Sequence, residues 1–547
     1  MPNEVDYDGL AMTVILDQQQ CSRARLARDA RFDGKFFIAV LSTRIYCRPI
    51  CRARTSGERS VRYFPTAAAA AEAGFRPCLR CPPECSPGKP VWAGTQNTVS
   101  RALQIISENG LEDGGVEGLT ERLGVGSRHL RRLFLRHLGA TPSAVAQTRR
   151  LHFAKKLIDE TRLSMGEVAL ASGFGCVRRF NAAIRKIYNR TPTQIRRLAP
   201  RQTNQPENQY VFHLNFRPPY NWKRMLEFLK ASATLGVEAV DLECYRRSIA
   251  LHGNNGYFEV AFDQENYDLT VRLEFGDPRS LFFIIERIRA MFDLDADWEV
   301  IAKTLRMEPA LARCVQAEAG LRVPGCWNGF ELATRAILSQ HTSLEATNEL
   351  ARRIVSNFGQ EFAPTNGLSH LFPPPSVLAT ADLARAGVSK AIADSIRALS
   401  RAICNQQIQF ERSMDCGDFR ARLCEISGIA KSTSQYVAMR ALRDPDAFPA
   451  GDPDLRQKLG TGTARELERR SEIWRPWRAY AAMLIWQSSG DANSLSASAG
   501  SQSIVNARTR DTGNGVGTGT VRKMFARKNI KTNHAKQLSK SLRNSRQ

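Results

Sequence analysis

No stretch of the 547-residue sequence approaches the ~18 consecutive apolar residues that a membrane-spanning helix needs. Its first ten residues, Met1–Leu10, are acidic and polar, unlike the basic and then apolar run of a secretory leader. Both absences point to a reducing, cytoplasmic setting with no membrane partner. In that setting thirteen cysteines, an odd number, argue against a disulfide framework and for metal-bound or reactive thiols. Acidic residues are also scarce: 54 Asp and Glu face 78 Lys and Arg, a net charge of +24. Such an excess favours a polyanionic partner. Nucleic acid comes before a membrane surface, because no long basic amphipathic segment is present. Apolar residues are not in deficit. At 43% hydrophobic and 24% charged, the chain is excluded from wholesale disorder.

The length predicts about three to five domains. Cysteines crowd the stretch from Cys47 to Cys85, and a helical pattern follows from about Asn97 to Leu198. The polar, proline-containing Ala199–Asn208 (APRQTNQPEN) reads as a linker. From Tyr210 to about Asp297 the segments YVFHLNF, SIALHG, YFEVAF and LTVRLEF alternate or run apolar as strands do, interrupted by a helix at Trp222–Ser232. Helical periodicity returns from about Trp298 to Gln487. Ser488–Gly519 is rich in Ser, Gly, Ala, Asn and Thr and cannot bury a core. The end is basic: Asp491–Gln547 carries eleven Lys and Arg against two Asp, which leaves most of the excess on the part expected to fold.

Cys47-x3-Cys51 and Cys78-x2-Cys81 are two close pairs 26 residues apart. Four thiols so spaced fit one tetrahedral Zn²⁺ per chain, where scattered buried cysteines would not pair. Cys85 is a spare thiol that could replace Cys81, although the x2 spacing suits a metal knuckle better. Arg44, Arg48, Arg52, Arg54, Arg76 and Arg80 flank the pairs and would draw phosphates towards them.

YCRPICRAR (Tyr46–Arg54) and GFRPCLRC (Gly74–Cys81) resemble the amino-terminal zinc domain of the Ada family, with Ile50 where that family usually has Ser. The resemblance implies repair of methyl phosphotriesters in DNA. Cys47 would be the methyl acceptor, and Cys51, Cys78 and Cys81 the other zinc ligands. Thr43, Arg54 and Arg76 would lie near the DNA backbone.

Val116–Gly139 reads helix, turn, helix, with Ser127 as the expected N-cap of a helix carrying Arg128 and Arg131. Ser164–Tyr188 repeats the pattern with Arg178 and Arg179 on its second helix. The bland alternative is a helical bundle with solvated arginines. GEVALASGF, RRFNAAIRK and TPTQIRR resemble the AraC-type DNA-binding domain, the module that follows the zinc domain in the Ada family. That implies operator DNA as a partner, and RNA polymerase with it.

No Pro-Cys-His-Arg-type active site follows Leu198. Instead FRPPYNWKRMLEFL (Phe216–Leu229), LRVPGCWNGFELATRAILSQ (Leu321–Gln340), ISGIAKSTSQYVAMRALRDPDAFPAGDPDLRQKL (Ile426–Leu459) and RPWRAYAAMLIW (Arg475–Trp486) resemble AlkA, a helix-hairpin-helix DNA glycosylase. The resemblance implies excision of alkylated bases such as 3-methyladenine. Asp452 would be the catalytic carboxylate and Tyr436 and Trp486 the walls of the base pocket. Gln340 and His341 would form the wedge. Gly428, Ala430, Lys431 and Thr433 would form the DNA-gripping hairpin, with a monovalent cation bound there. Each has a plainer reading. Asp452 before Pro453 is a standard helix start, Asp454 is a weaker candidate one turn on, and the aromatics could simply pack in the core. Ala430 stands where the family has a second glycine, and Ser432 where it has a pocket tryptophan. His341 replaces an apolar wedge, and Lys431 could compensate with a phosphate contact. If the site of Ala430 needs a positive φ, its Cβ costs about 1 kcal/mol.

The expected architecture is multidomain. A small α+β zinc domain spans 1–90, an all-α double helix-turn-helix domain 91–200, and an α+β domain with an antiparallel sheet 208–297. An all-α helix-hairpin-helix domain spans 298–488 and a disordered basic tail 489–547. Two functions remain open: a methyl acceptor, transcription activator and glycosylase in one chain, or a methylation-triggered regulator whose glycosylase half has decayed.

Overall fold

The computed structural model describes residues 16–53, 56–88, 97–109, 114–199, 206–410 and 414–488. The expected tail, Arg54 and most of the expected linker lie outside the described residues.

The cysteine-dense region is a small α+β unit. Its sheet has the order β3-β1-β2-β4, built from β1 (Phe37–Val40), β2 (Ile45–Cys47), β3 (Val61–Phe64) and β4 (Arg76–Pro77). β1 runs antiparallel to β2 and β3, while β4 lies parallel to β2. Between β3 and β4, Thr66 caps the helix Ala67–Glu72 by accepting from the Ala69 amide at 3.0 Å. Ala67–Ala70 are buried, and such small side chains let the helix lie close to its neighbours. Gly74, at φ +81°, turns the chain into β4.

The described residues of 97–198 form seven helices, with two helix-turn-helix units joined by the 19-residue helix Pro142–Glu160. Ser164/Glu167 and Thr191/Gln194 are full capping boxes. One detail differs from the sequence reading. Gly126, not Ser127, is the N-cap of helix Ser127–Leu138, and it makes no side-chain cap, so Ser127 sits in the first turn.

The strand-rich region is a five-stranded antiparallel sheet, β5-β9-β8-β7-β6. The strands are β5 (Gln209–Asn215), β6 (Glu238–Val240), β7 (Cys244–Leu251), β8 (Asn254–Asp263) and β9 (Asp268–Phe275). Phe212, Leu214, Phe258, Val260, Val271 and Leu273 alternate inward and meet Ile284, Ile285 and Ile288 of helix Leu281–Met291.

From Trp298 onward the described residues are helical, with one exception. β10 (Gln360–Thr365) and β11 (Leu368–Leu371) form a hairpin. Asn366 and Gly367 both have positive φ, +49° and +87°, the geometry of a two-residue hairpin turn. The hairpin docks on the sheet: the Ser369 amide donates to the Gly236 carbonyl at 2.7 Å, and the Ser248 hydroxyl to the His370 carbonyl at 2.6 Å.

The cysteine-rich unit is seated on the sheet-bearing region through a buried cation. Arg217, 1% exposed, donates to the carbonyls of Asp33 at 2.8 Å and Asp295 at 2.5 Å, and to that of Gly88. Lys35 pairs with Asp297 at 2.6 Å beside it.

Candidate functional site

The first site arises because β2 and β4 are neighbours. Cys47 ends β2, and Cys78 follows β4, its amide donating to the Tyr46 carbonyl at 2.9 Å. The tight turns Cys47–Cys51 and Cys78–Cys81 then fold the second member of each pair back onto the first. All four sulfurs lie within 4.8 Å of one another. Hydrogen bonding with Cys51 pushes the Cys47 thiol up. Hydrogen bonding with Cys47 pushes Cys81 up and Cys51 and Cys78 down. Four sulfurs brought this close are a site built for a dication. Two backbone amides, of Arg48 and Arg80, donate to Cys81 and Cys78 at 3.4 Å each, as amides do around metal thiolates. The donor set therefore fits Zn²⁺.

Cys85 is not part of it. Burial pushes its thiol up to about 11, which keeps it neutral at physiological pH. Cys85→Ser should leave zinc at one per chain, while Cys51→Ala should lose most of it. Elemental analysis of both variants checks the assignment.

The surrounding arginines divide. Arg48 is buried and clamps the Asp33 carboxylate through Nε at 2.9 Å and through Nη2, so it is a structural cation rather than a phosphate hook. Arg44 is exposed and lies 4.8 Å over the Phe75 ring. Thr43 is exposed and Arg76 half-buried; Thr43 precedes β2 and Arg76 pairs with Ile45, so both lie at the start of the strand that Cys47 ends. Tyr46, beside Cys47, shares a 3.0 Å hydrogen bond with His152, and Glu84 pairs with Lys155 at 3.2 Å. The cysteine unit thus rests on helix Pro142–Glu160. Arg128, Arg131, Arg178 and Arg179 are all exposed on the second helices of the two helix-turn-helix units.

The second site lies in the helical half. Asp452 is the N-cap of helix Pro453–Lys458: its Oδ1 accepts from the Leu455 amide at 2.9 Å. The same oxygen accepts from the Trp486 indole at 3.2 Å. Capping therefore uses one carboxylate oxygen, and Oδ2 takes no hydrogen bond from the described residues. Trp486 and Tyr436 meet edge to face, 6.0 Å between centroids and 72° between planes. Asp454 is exposed and forms an i,i+4 pair at 3.3 Å with Lys458, the ammonium that also donates to the Trp486 carbonyl. Ser432 lies against Gly451, where a Cβ would stand 3.2 Å from the Ser432 Cβ. The short Ser432 and the glycine next to Asp452 thus pack closely, with little room for a larger side chain at either position.

The hairpin joins helices Cys416–Glu425 and Lys431–Ala441. Gly428 carries the positive φ, +85°, whereas Ala430 has φ −73° as N-cap of the second helix. The strain considered for Ala430 is absent, because that position is extended backbone. Gln340 braces the turn. Its Oε1 accepts from the Ala430 amide at 2.8 Å and the Thr433 hydroxyl at 2.9 Å, and its Nε2 donates to the Gly428 carbonyl at 2.8 Å. Thr433 is buried by this contact, while Lys431 and His341 are exposed. Gln340→Leu should therefore weaken binding to damaged and undamaged duplex alike, by about tenfold for the loss of roughly 1.4 kcal/mol. Titration of both duplexes checks the equality.

Three family models match: the metal binding domain of Ada over residues 20–84, a helix-turn-helix domain over 119–198, and the AlkA N-terminal domain over 211–328. A probable bifunctional transcriptional activator/DNA repair enzyme AlkA of Mycobacterium tuberculosis is 37% identical over 478 residues, 86% of this chain and 96% of that one. The chain belongs to this bifunctional family. Its glycosylase-like half is 30% identical to DNA-3-methyladenine glycosylase 2 of Escherichia coli, over 51% of this chain and 98% of that one. Its amino-terminal part is 35% identical to the bifunctional activator/repair enzyme Ada of Escherichia coli, over 25% of this chain and 36% of that one.

Two residues beside the family's second site escaped sequence reasoning. Buried Arg440 donates to the Tyr436 hydroxyl at 2.7 Å and to the carbonyls of Pro324 and Gly325 at 2.9 and 3.0 Å, with Phe228 4.8 Å beneath it. Its i,i+4 spacing from Tyr436 is the one signal the sequence offers. Lys458 is the other, and it sits behind Trp486.

Proposed function

We propose that the chain is a DNA-alkylation repair and response protein that transfers methyl groups to Cys47 and excises alkylated bases at Asp452. The observation that carries this reading is the coexistence in one chain of a tetrathiolate centre and a carboxylate held by an indole with one oxygen free. Zinc keeps thiolates deprotonated and nucleophilic at neutral pH. The Cys47 sulfur attacks the methyl carbon of a phosphotriester, the C–O bond breaks, and the phosphodiester anion leaves with the bonding electrons. With Zn²⁺ bound, the four thiolates of Cys47, Cys51, Cys78 and Cys81 would give a formal −2, and methylation of Cys47 would make it −1, so repulsion from DNA would fall and operator affinity rise. Arg128, Arg131, Arg178 and Arg179 supply backbone and groove contacts, with RNA polymerase recruited at the operator.

In the other half the hairpin of Gly428, Ala430, Lys431 and Thr433 holds a phosphate and would hold a monovalent cation, and His341 enters the vacated stack. The alkylated base turns out of the helix against Tyr436 and Trp486. It departs with the glycosidic electrons, the free Asp452 oxygen stabilises the cationic sugar, and water completes the hydrolysis.

The test is one incubation of purified protein with methylated duplex. The expected results are free 3-methyladenine in solution and a one-methyl mass gain on the Cys47 peptide. Methyl uptake without base release selects the regulator with a decayed glycosylase half. Neither product refutes both readings.

A further inference from the structure

We propose that Lys458 is a positioning residue for base excision, fixing Trp486 against Asp452; the proposal rests on the glycosylase reading above. Trp486 lies in the last turn of helix Arg478–Gln487, and carbonyls in a last helical turn lack helical partners. The Lys458 ammonium donates to the Trp486 carbonyl at 2.8 Å and to the Ile485 carbonyl at 3.3 Å. A cation is favoured at a helix C-terminus, so charge and hydrogen bonding act together there. Ser488 also caps Ile485, but the Trp486 carbonyl takes Lys458 alone among the described residues.

The other end of Trp486 is tied to the same short helix. Its indole donates to Asp452, the N-cap, while its carbonyl accepts from Lys458, the last residue of helix Pro453–Lys458. One six-residue helix therefore grips one tryptophan at ring and backbone. That grip sets how far the Asp452 carboxylate stands from the aromatic wall formed with Tyr436. Without the lysine the Trp486 carbonyl is orphaned, the end of the helix is free to shift, and the indole no longer holds Oδ1. A displacement near 1 Å at a reacting centre costs about 100-fold in rate. The DNA-gripping hairpin lies on other helices, so affinity for duplex is untouched.

Two measurements on the full chain decide it. Under single turnover with methylated duplex, Lys458→Met should slow the saturating excision rate about 10-fold or more with half-saturation within about twofold, while Lys458→Arg restores the rate. Methionine keeps the apolar stem, so packing is preserved; if it does not fold, Lys458→Gln takes its place. In 5-fluorotryptophan-labelled protein, the resonance assigned to Trp486 by its loss in Trp486→Phe should move in Lys458→Met and stay in Lys458→Arg. Parent-like excision by Lys458→Met, equal loss in the methionine and arginine variants, or an unmoved Trp486 resonance overturns the proposal. A parent that releases no base sinks the glycosylase reading instead, and the fluorine resonance then decides alone whether Lys458 holds Trp486.

Discussion

Asp452→Asn should fold, bind damaged duplex like the parent, and release base at least about 100-fold more slowly, the scale on which removal of a preorganised transition-state contact is felt. The prediction turns on the division of labour between the two carboxylate oxygens. Oδ1 is occupied by the Leu455 amide and the Trp486 indole, and Oδ2 is free. Asparagine can keep its carbonyl oxygen at the first position, since Asn and Asp rank alike as N-caps. It puts an uncharged amide where the free oxygen faced the sugar. Structure survives and charge does not. Asp452→Ala removes the cap as well, at about 1 kcal/mol, so its melting temperature should fall by about 2–4 °C while that of the asparagine variant holds. Single-turnover base release and thermal melting of both variants read the two roles separately. Parent-like excision by Asp452→Asn would refute the assignment.

Cys47→Ser should take up no methyl group from phosphotriester DNA, where the parent takes up one, as read by peptide mass mapping. Its operator affinity should also be the same before and after exposure to methylated DNA. In the parent that affinity should rise. Removing one unit of negative charge about 10 Å from a phosphate is worth on the order of 1 kcal/mol at an effective dielectric near 20, or about fivefold in affinity. The gain should shrink as salt is raised, because it is screened. A methyl group found on Cys51, Cys78 or Cys81 would move the acceptor and leave the charge argument standing. A rise in affinity in Cys47→Ser would remove the link between methylation and DNA binding.

The metal centre was almost wholly legible in the sequence, because two close cysteine pairs leave few other arrangements. What the spacing did not carry was the means by which the pairs meet: a parallel contact between two- and three-residue strands too short to show a period. Arg48 misled for a related reason. Position beside a cysteine motif reads as surface charge, and only the fold reveals that Asp33, fifteen residues earlier, swallows it. The hairpin of β10 and β11 was missed although Asn366-Gly367 is a strong turn signal, because the helices around it dominated the periodicity. Asp452 could be read as a cap or as a catalytic group; the structure shows the cap, and with the Trp486 indole, 34 residues away, sharing Oδ1 it leaves Oδ2 unused among the described residues. The family resemblance put Gln340 with His341 in the wedge; its three hydrogen bonds to the hairpin depend on helices that only tertiary structure brings together.

Arg217 carries a consequence for ancestry. Its guanidinium is satisfied by carbonyls from the cysteine-bearing unit, at Asp33 and Gly88, and from the sheet-bearing unit, at Asp295. In a chain of this sequence cut into two separately encoded proteins, Arg217 would open to water and lose its hydrogen bonds to Asp33 and Gly88, at about 1 kcal/mol net for each. A single buried arginine thus gives the joined chain a modest thermodynamic advantage over its separated halves, one that a change at position 217 would remove.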